Sequence, residues 1–247
     1  MRALALLKAF SDTRPDLSLG ELARATQLKK TTAFRLLAAL ENEGMVTRNP
    51  DSDTYRLGPE IVVLGGRALR SNDLRSASHP ELERLARETG ETVTLEILVG
   101  GEVLILDEVL GRHLVGSIPS LGTRWPAQFT STGKILLAYL SNEERRVVIR
   151  EAGPSHSQKA ETQADLLEAE IEQIRRQGYA TAVEELEAGF VAVGAPVRNF
   201  SGKVVAAISA GGPSTRLNPQ RVQEIIPLIQ EAATCISNRL GFQPTAN

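Results

Sequence analysis

At 247 residues, 42% hydrophobic and 23% charged, the chain is long enough for two domains or one large one. It has the balance of an ordinary soluble protein that buries a core. Its single cysteine, Cys235, excludes an intramolecular disulfide and any multi-cysteine metal site. No apolar stretch approaches the roughly 18 residues that span a bilayer. The opening MRALALLKAFSDTRPD has too short an apolar run for a signal peptide, so a cytoplasmic location is expected. The net charge of −2 divides into +3 over residues 1–75 and −5 over residues 76–247, a modest basic excess suited to phosphate contact.

Arg2 to Phe10 reads as a first helix with Ala3, Leu4, Leu7 and Phe10 on one face. Ser18 and Glu21 fit a capping box, the serine oxygen accepting a free N–H of the first turn and the glutamate reaching back. The helix they open carries Leu19, Leu22 and Ala23 and runs out near Ala25–Thr26. After a turn at Gln27-Leu28-Lys29, a third helix runs from about Lys30 to Glu43 and stops at Gly44. Its apolar face is Ala33, Leu36, Leu37 and Leu40, at i, i+3, i+4, i+7. The other face begins with Lys29, Lys30, Thr31, Thr32 and Arg35. Two short helices around a tight turn make a helix-turn-helix, in which the N-terminal residues of the second helix meet base edges in the major groove.

Alternation then replaces the helical period. Met45–Arg48 and Tyr55–Leu57 flank a Pro/Asp/Ser turn as a β-hairpin, which makes the unit a winged helix. Its wing offers Arg48, Asn49 and Arg56 to the DNA backbone or minor groove. Gly58-Pro59 opens a connecting helix, about Glu60 to Arg70, whose Ile61, Val62, Leu64 and Leu69 suit packing on a second subunit. Another helix follows from about Leu74 to Glu88, with a kink or break expected at His79-Pro80.

Residues 91–117 read as β: Thr92–Val99, a Gly100-Gly101 turn, Val103–Val109, and a third strand His113–Ile118. A loop from Pro119 to Phe129 holds Trp125. Thr130-Ser131-Thr132 leads into a helix, Gly133–Leu140, and Ser141 with Glu144 forms a second capping box. Thr162 caps a long helix over 163–177. Strands at Tyr179–Glu184, Phe190–Val197 and Val204–Ala210 precede a last helix from Asn218-Pro219 to about Leu240.

The sequence resembles the IclR-type transcriptional regulators along nearly its whole length. The resemblance is carried by RALALLKAFS, LSLGELARATQLKKTTAFRLLAALENEGMV, YRLGPEIVVLG, LARETGETVTLEILVGGEVLILDEV, TGKILLAYLS, IRRQGYATAVEELEAGFVAVGAPV and GKVVAAISAGGPSTRL. It implies an α+β chain: a winged helix-turn-helix over 1–58, a linker helix over 59–72, and a GAF-like effector-binding domain over 73–247. The last has a roughly six-stranded antiparallel sheet packed by helices. The implied partners are a double-stranded DNA operator, a small effector, and further copies of the chain as a dimer or dimer of dimers; no cofactor is implied.

Taken alone, the charged face of the third helix would be a solvated surface; the flanking helix, turn and hairpin make Lys29, Lys30, Thr31, Thr32 and Arg35 contact candidates. Free N–H groups and hydroxyls at Ser131 and Thr132 suit a carboxylate. The resemblance places ligand contacts at Leu114, Ser117, Trp125, Ser131, Thr132, Ala182, Phe190, Ala192, Ser209 and Gly211. Trp125 and Phe190 suggest an aromatic or longer acyl carboxylate rather than a small polar oxo-acid, though each alone fits core packing equally. The rivals are a ligand-binding module whose winged helix contacts protein, and an enzyme on the C-terminal domain. The enzyme has little support. Ser131-Thr132-Gly133-Lys134 lacks the first glycine of a phosphate loop, Ile208-Ser209-Ala210-Gly211 lacks one of a nucleophile elbow, and His79, His113 and His156 lack ligand spacing.

Overall fold

The computed structural model describes residues 2–113, 120–151 and 170–243, the side chains of 149–151 excepted. The chain divides into two compact units, Met1–Asn72 and Asp73–Asn247.

In the first unit, helix α1 (Arg2–Leu7) ends three residues sooner than its periodicity suggests. Leu6 is the fully buried residue and Leu4 faces solvent, because the short helix is turned to present Leu6 to α2 and α3. The capping box forms as expected: Glu21 N–H donates to Ser18 Oγ at 3.3 Å and Ser18 N–H to Glu21 Oε2 at 2.9 Å, opening α2 (Leu19–Ala25). Helix α3 (Lys30–Asn42) follows a turn held by Gln27 in the left-handed region. Leu22, Ala33, Leu37, Val46 and Tyr55 close the core, with Leu36 and Leu40 packed at its edge.

The hairpin β2 (Val46–Asn49) and β3 (Thr54–Leu57) gains a third strand that the pattern does not reveal, β1 (Leu17–Ser18), paired through Leu17 to Tyr55. Helix α4 (Pro59–Arg70) starts where Gly58 N–H donates to the Met45 carbonyl at 2.8 Å. A Cβ on Gly58 would lie 2.1 Å from the Gly44 carbonyl oxygen, so only glycine lets α4 begin against the end of α3.

In the second unit, α5 (Asp73–Thr89) runs through Pro80 without a break. Pro80 and Ser76 both face solvent, so the Ser76 carbonyl that loses its helical donor can be hydrated. A six-stranded antiparallel sheet follows, in the order β6-β5-β4-β9-β8-β7. Its strands are β4 (Thr92–Val99), β5 (Glu102–Val109), β6 (Arg124–Pro126), β7 (Ala180–Val183), β8 (Phe190–Arg198) and β9 (Val204–Pro213). Strand β6 pairs Trp125 with Val103 inside the stretch expected to be a loop. The strand expected over His113–Ile118 and the Thr162 cap lie outside the described residues.

Helix α6 (Ser131–Ala138) begins two residues earlier than expected, with Thr130 as its N-cap. Ser141 and Glu144 form the second capping box, opening α7 (Asn142–Glu151). Helix α8 is described over 170–177, and α9 (Pro219–Arg239) closes the chain. Helices α5 and α9 pack together on one face of the sheet; α6 covers the other. Both Val93 and Leu95 on one side of β4, and Thr94 and Glu96 on the other, are therefore buried.

Three buried carboxylates in this unit carry arginine partners. Glu81 meets Arg84 at 2.8 Å and Arg239 at 2.7 Å, Glu91 meets Arg216 at 2.6 Å, and Asp107 meets Arg75 at 3.0 Å with His79 at 2.7 Å. Gly58→Ala is expected to destabilise the first unit by about 1–3 kcal/mol through overpacking. Gly20→Ala, inside α2 with its Cβ in ordinary contact distance, should instead gain about 0.5–1 kcal/mol. Urea unfolding followed by circular dichroism distinguishes the two.

Candidate functional site

The first candidate site is the outer face of α3. Lys29 stands at the N-cap with no side-chain cap hydrogen bond; the Thr32 N–H donates to the Lys29 carbonyl at 2.9 Å, which leaves the Lys30 and Thr31 N–H groups available to an anion. Lys29, Lys30, Thr31 and Arg35 are exposed and Thr32 is half-buried. Thr31 and Arg35 lie one turn apart on the side opposite Ala33 and Leu37. Phe34, 48% exposed, lies on that face beside Arg35. The sequence reading passed over it because Phe34 falls outside the apolar stripe facing the core, and an aromatic there is anomalous only once its exposure is known.

The wing residues have internal partners. Arg48 pairs with Asp53 and stands over the Tyr55 ring at 5.8 Å. Arg56 holds Asp16 through two contacts, Nε–Oδ1 at 3.0 Å and Nη2–Oδ2 at 3.1 Å. The Asn49 side-chain oxygen accepts from Asp51 N–H at 3.0 Å, a turn-holding contact. Each would have to leave a partner to meet DNA, unlike Lys29, Lys30 and Arg35, which have no ion pair among the described residues.

The second candidate site lies where the first turn of α6 meets the sheet. Cross-strand register sets Thr92, Gly211, Ala192 and Ala182 in one row and Thr94, Ser209 and Gly194 in the next. Glu96 and Ala207 pair in the row after. Ala182, Ala192, Ser209 and Gly211, expected from distant parts of the sequence, thus share one face. The Phe190 ring fills the space over Gly211, 2.7 Å from where a Cβ would stand. Trp125 is 38% exposed on the edge strand β6. Leu114 and Ser117 lie outside the described residues.

Helix α6 comes down onto these rows because Gly133 and Gly194 carry no side chain. A Cβ on Gly133 would be 2.0 Å from the Ala127 carbonyl oxygen, and one on Gly194 3.1 Å from Ser131 Oγ. Thr130 Oγ1 accepts from Gly133 N–H at 3.0 Å, so capping uses Thr130 and leaves Ser131 and Thr132 for other work. Ser131 Oγ is buried with no hydrogen-bond partner. Thr132 Oγ1 donates to Glu96 Oε2 at 2.5 Å, Thr94 Oγ1 donates to Glu96 Oε1 at 2.6 Å, and Thr94 and Ser209 hydroxyls are 2.8 Å apart.

Glu96 is the residue the sequence concealed. In Thr92-Val93-Thr94-Leu95-Glu96 the polar positions read as a solvent face, and nothing in the strand announces that α6 covers them. Burial pushes the Glu96 carboxyl above the ordinary range, against the hydroxyl hydrogen bonds that lower it, and the nearby Glu108 charge adds to the rise. A separate cleft of about 280 Å³ opens at the other end of α6, between Tyr139, Arg175, Arg198, Gln230 and Phe242; none of the expected effector contacts borders it. Among the described residues no His/Cys/Asp/Glu cluster suits a metal ion, and no helix is long and apolar enough to cross a membrane.

The sequence matches two family descriptions, the IclR helix-turn-helix domain over residues 1–50 and the bacterial transcriptional regulator IclR C-terminal domain over residues 66–238. It is 30% identical over 246 residues to the HTH-type transcriptional regulator XynR of Escherichia coli K12, covering 98% of this chain and 96% of that protein. The structure is similar to that of a putative transcriptional regulator from Rhodococcus sp. RHA1, with a TM-score of 0.81, 30% identity, and coverage of 97% and 96%. It is also similar to an IclR homologue from Microbacterium hydrocarbonoxydans complexed with 4-hydroxybenzoate, with a TM-score of 0.80, 28% identity, and 97% of each chain covered.

A raised carboxyl pKa in the folded state stabilises the fold below the unfolded value, about 4.3. That contribution is lost as pH rises through the folded value. Wild type should therefore lose stability relative to Glu96→Gln as pH rises above about 4. Thermal melts of both proteins at rising pH check the sign.

Proposed function

Because the chain belongs to the IclR family of bacterial transcriptional regulators, and so is a helix-turn-helix regulator with a C-terminal effector-binding domain, we propose how its own residues divide that work. Thr31, Phe34 and Arg35 read bases in the major groove, while Lys29, Lys30, Thr32 and the free first-turn N–H groups of α3 hold phosphates. The observation that carries this is the stripe of exposed, unpaired side chains at the N-terminal half of α3. Arg48, Asn49 and Arg56 serve the wing, exchanging their internal partners for phosphates only on contact.

Helix α4 has no buried residue, and Val62, Val63 and Leu64 are 76%, 39% and 41% exposed. This supports pairing of α4 with a second copy, which would set the spacing of two recognition helices on a two-fold operator. In the second unit the effector is a small carboxylate at Ser131 and Thr132, against Ala182, Ala192, Ser209 and Gly211. Phe190 bounds the space; Trp125, paired with Val103 on the edge strand β6, is several rows from it, and Leu114 and Ser117 belong to the same site on the family pattern. The buried, partnerless Ser131 hydroxyl supports this reading, and the 4-hydroxybenzoate held by one relative gives it a first probe.

Arg35→Ala is expected to cost about 1–3 kcal/mol of discrimination between the chain's own upstream DNA and altered sequences. Lys30→Ala should weaken binding to all sequences and reduce the salt slope by about one. Gel shifts over a salt series test both; unchanged affinity in both variants removes the assignment. Leu64→Asp should lower oligomeric state by light scattering and operator affinity together. A panel of carboxylates including 4-hydroxybenzoate should contain compounds that raise the melting temperature by mass action in wild type, with the shift reduced in Ser131→Ala. A panel without a hit counts against a carboxylate.

A further inference from the structure

Of the four buried carboxylates in the second unit, Glu81, Glu91 and Asp107 are each held by arginine, on the α5 and α9 side of the sheet or at its end. Glu96 is not. It is 5% exposed on the α6 side, and both its oxygens rest on threonine hydroxyls. An ionised carboxylate buried without a cation is costly, and such an arrangement in a binding site is a candidate for function rather than for stability.

Among the described residues, the charged groups on the elements around it give no compensating cation. On β5, Glu108 lies across from Thr94 and adds negative charge, its oxygens taken by the Ser120 N–H at 2.9 Å and hydroxyl at 2.5 Å. On α6, Lys134 is the one ionisable side chain, and it is drawn to Glu185 at 2.7 Å and Glu170 at 3.0 Å. Strands β7 and β9 contain no ionisable residue. On β8 only Arg198 is charged, at the far end, over the Tyr139 ring at 4.6 Å.

The hydroxyl that meets Glu96 belongs to Thr132, whose backbone N–H is among those at the start of α6. An anion held by the N–H groups of Ser131 and Thr132 therefore stands about two hydrogen-bond lengths, ~6 Å, from the Glu96 carboxyl. Two buried negative charges at that separation repel strongly. We propose that Glu96 is the proton-accepting floor of the effector site, so that an anionic effector binds together with one proton, taken from solvent by the Glu96 carboxylate. Protonated, the same group gives up the charge that would repel the effector and becomes a donor to the neighbouring Thr94 or Thr132 hydroxyl. The site then selects monoanions over dianions, which would place a second charge against Glu96 and Glu108.

This rests on the reading that a carboxylate binds at the start of α6. The test uses the full chain with benzoate and 4-hydroxybenzoate, whose carboxylates stay ionised from about pH 5.5 to 8.5. Isothermal titration calorimetry should show affinity falling with rising pH, by up to tenfold per unit. In buffers of different ionisation enthalpy, uptake should approach one proton per site at pH 8, above the ordinary range of histidine. Glu96→Gln should abolish the uptake, flatten the profile, and bind the probes more tightly than wild type at pH 8. Uptake of no proton by wild type, or an unchanged slope in Glu96→Gln, overturns the proposal while leaving the carboxylate reading standing. Absence of binding by both probes and by the wider carboxylate panel at every pH overturns both. Should Glu96→Gln not fold, proton uptake by wild type at pH 8, set against Glu96→Asp, decides the matter.

Discussion

The second unit depends on how closely the first turn of α6 approaches the sheet. Two absent side chains make the approach possible, at Gly133 against the Ala127 carbonyl and at Gly194 against Ser131. With the helix seated there, Ser131 and Thr132 are each 1% exposed and the Thr132 hydroxyl reaches Glu96. A helix held even one methyl group further out would break the Thr132–Glu96 bond and leave one buried carboxylate oxygen, Oε2, without its donor, which costs more than the bond itself contributes. The close packing and the polar cluster are thus one arrangement. Thr130, not Ser131 or Thr132, supplies the cap, and that division of labour frees the next two residues for a ligand.

The two faces of the sheet solve their polar problems differently. Behind α5 and α9, buried carboxylates are matched by Arg75, Arg84, Arg216 and Arg239: Arg75 and Arg239 tie α5 to β5 and to α9, and Arg216 ties the exit of β9 to the entry of β4 at Glu91. Removing one partner of such a pair strands a charge, so this face is fixed. Beneath α6 the only partners are hydroxyls, which can rotate and can either donate or accept. A face built from Thr94, Thr132 and Ser209 can reorganise around a change of charge without moving backbone, and that is what a ligand site requires.

Much of this was legible in the sequence where the physics is local. Both capping boxes, the helix-turn-helix spacing, the hairpin after Gly44, and the apolar stripe of α3 follow from residues a few positions apart. What failed to show depends on partners far along the chain. The two-residue β1 exists only because Tyr55 offers it a pairing edge, and β6 contains Pro126 and three residues, too few for alternation to register. Of the kink or break expected at Pro80, the break is absent, since α5 is continuous over Asp73–Thr89 with Pro80 and Ser76 both facing solvent. Nothing in the strand marks Glu96 as buried, because alternation along a strand reports two faces without saying what covers them. Of the expected effector contacts, Ala182, Ala192, Ser209 and Gly211 come together through register, which the order of the strands alone does not specify. The wing arginines looked free for want of any local sign that Asp16 and Asp53 would hold them.

That occupancy of the wing bears on how DNA binding must work. With Arg48 and Arg56 engaged, the cations without partners on the recognition surface are Lys29, Lys30 and Arg35. With Arg35 reading bases, the two phosphate-neutralising cations Lys29 and Lys30 correspond to a salt slope of about −1.8 per copy, the range of weak and largely non-specific binding. A single α3 also spans too few base pairs to be selective among genomic sites. Two copies held at fixed spacing double the slope and make the second contact effectively intramolecular. Selectivity is then governed less by the side chains of α3 than by whatever holds the spacing. In this chain the element placed to do so is α4, which starts against Gly44 through a contact that only Gly58 permits. An effector changes operator affinity only to the extent that it binds one spacing better than another. In the arrangement proposed above, helix α4 is the element assigned the coupling that neither α3 nor the polar cluster under α6 provides by itself.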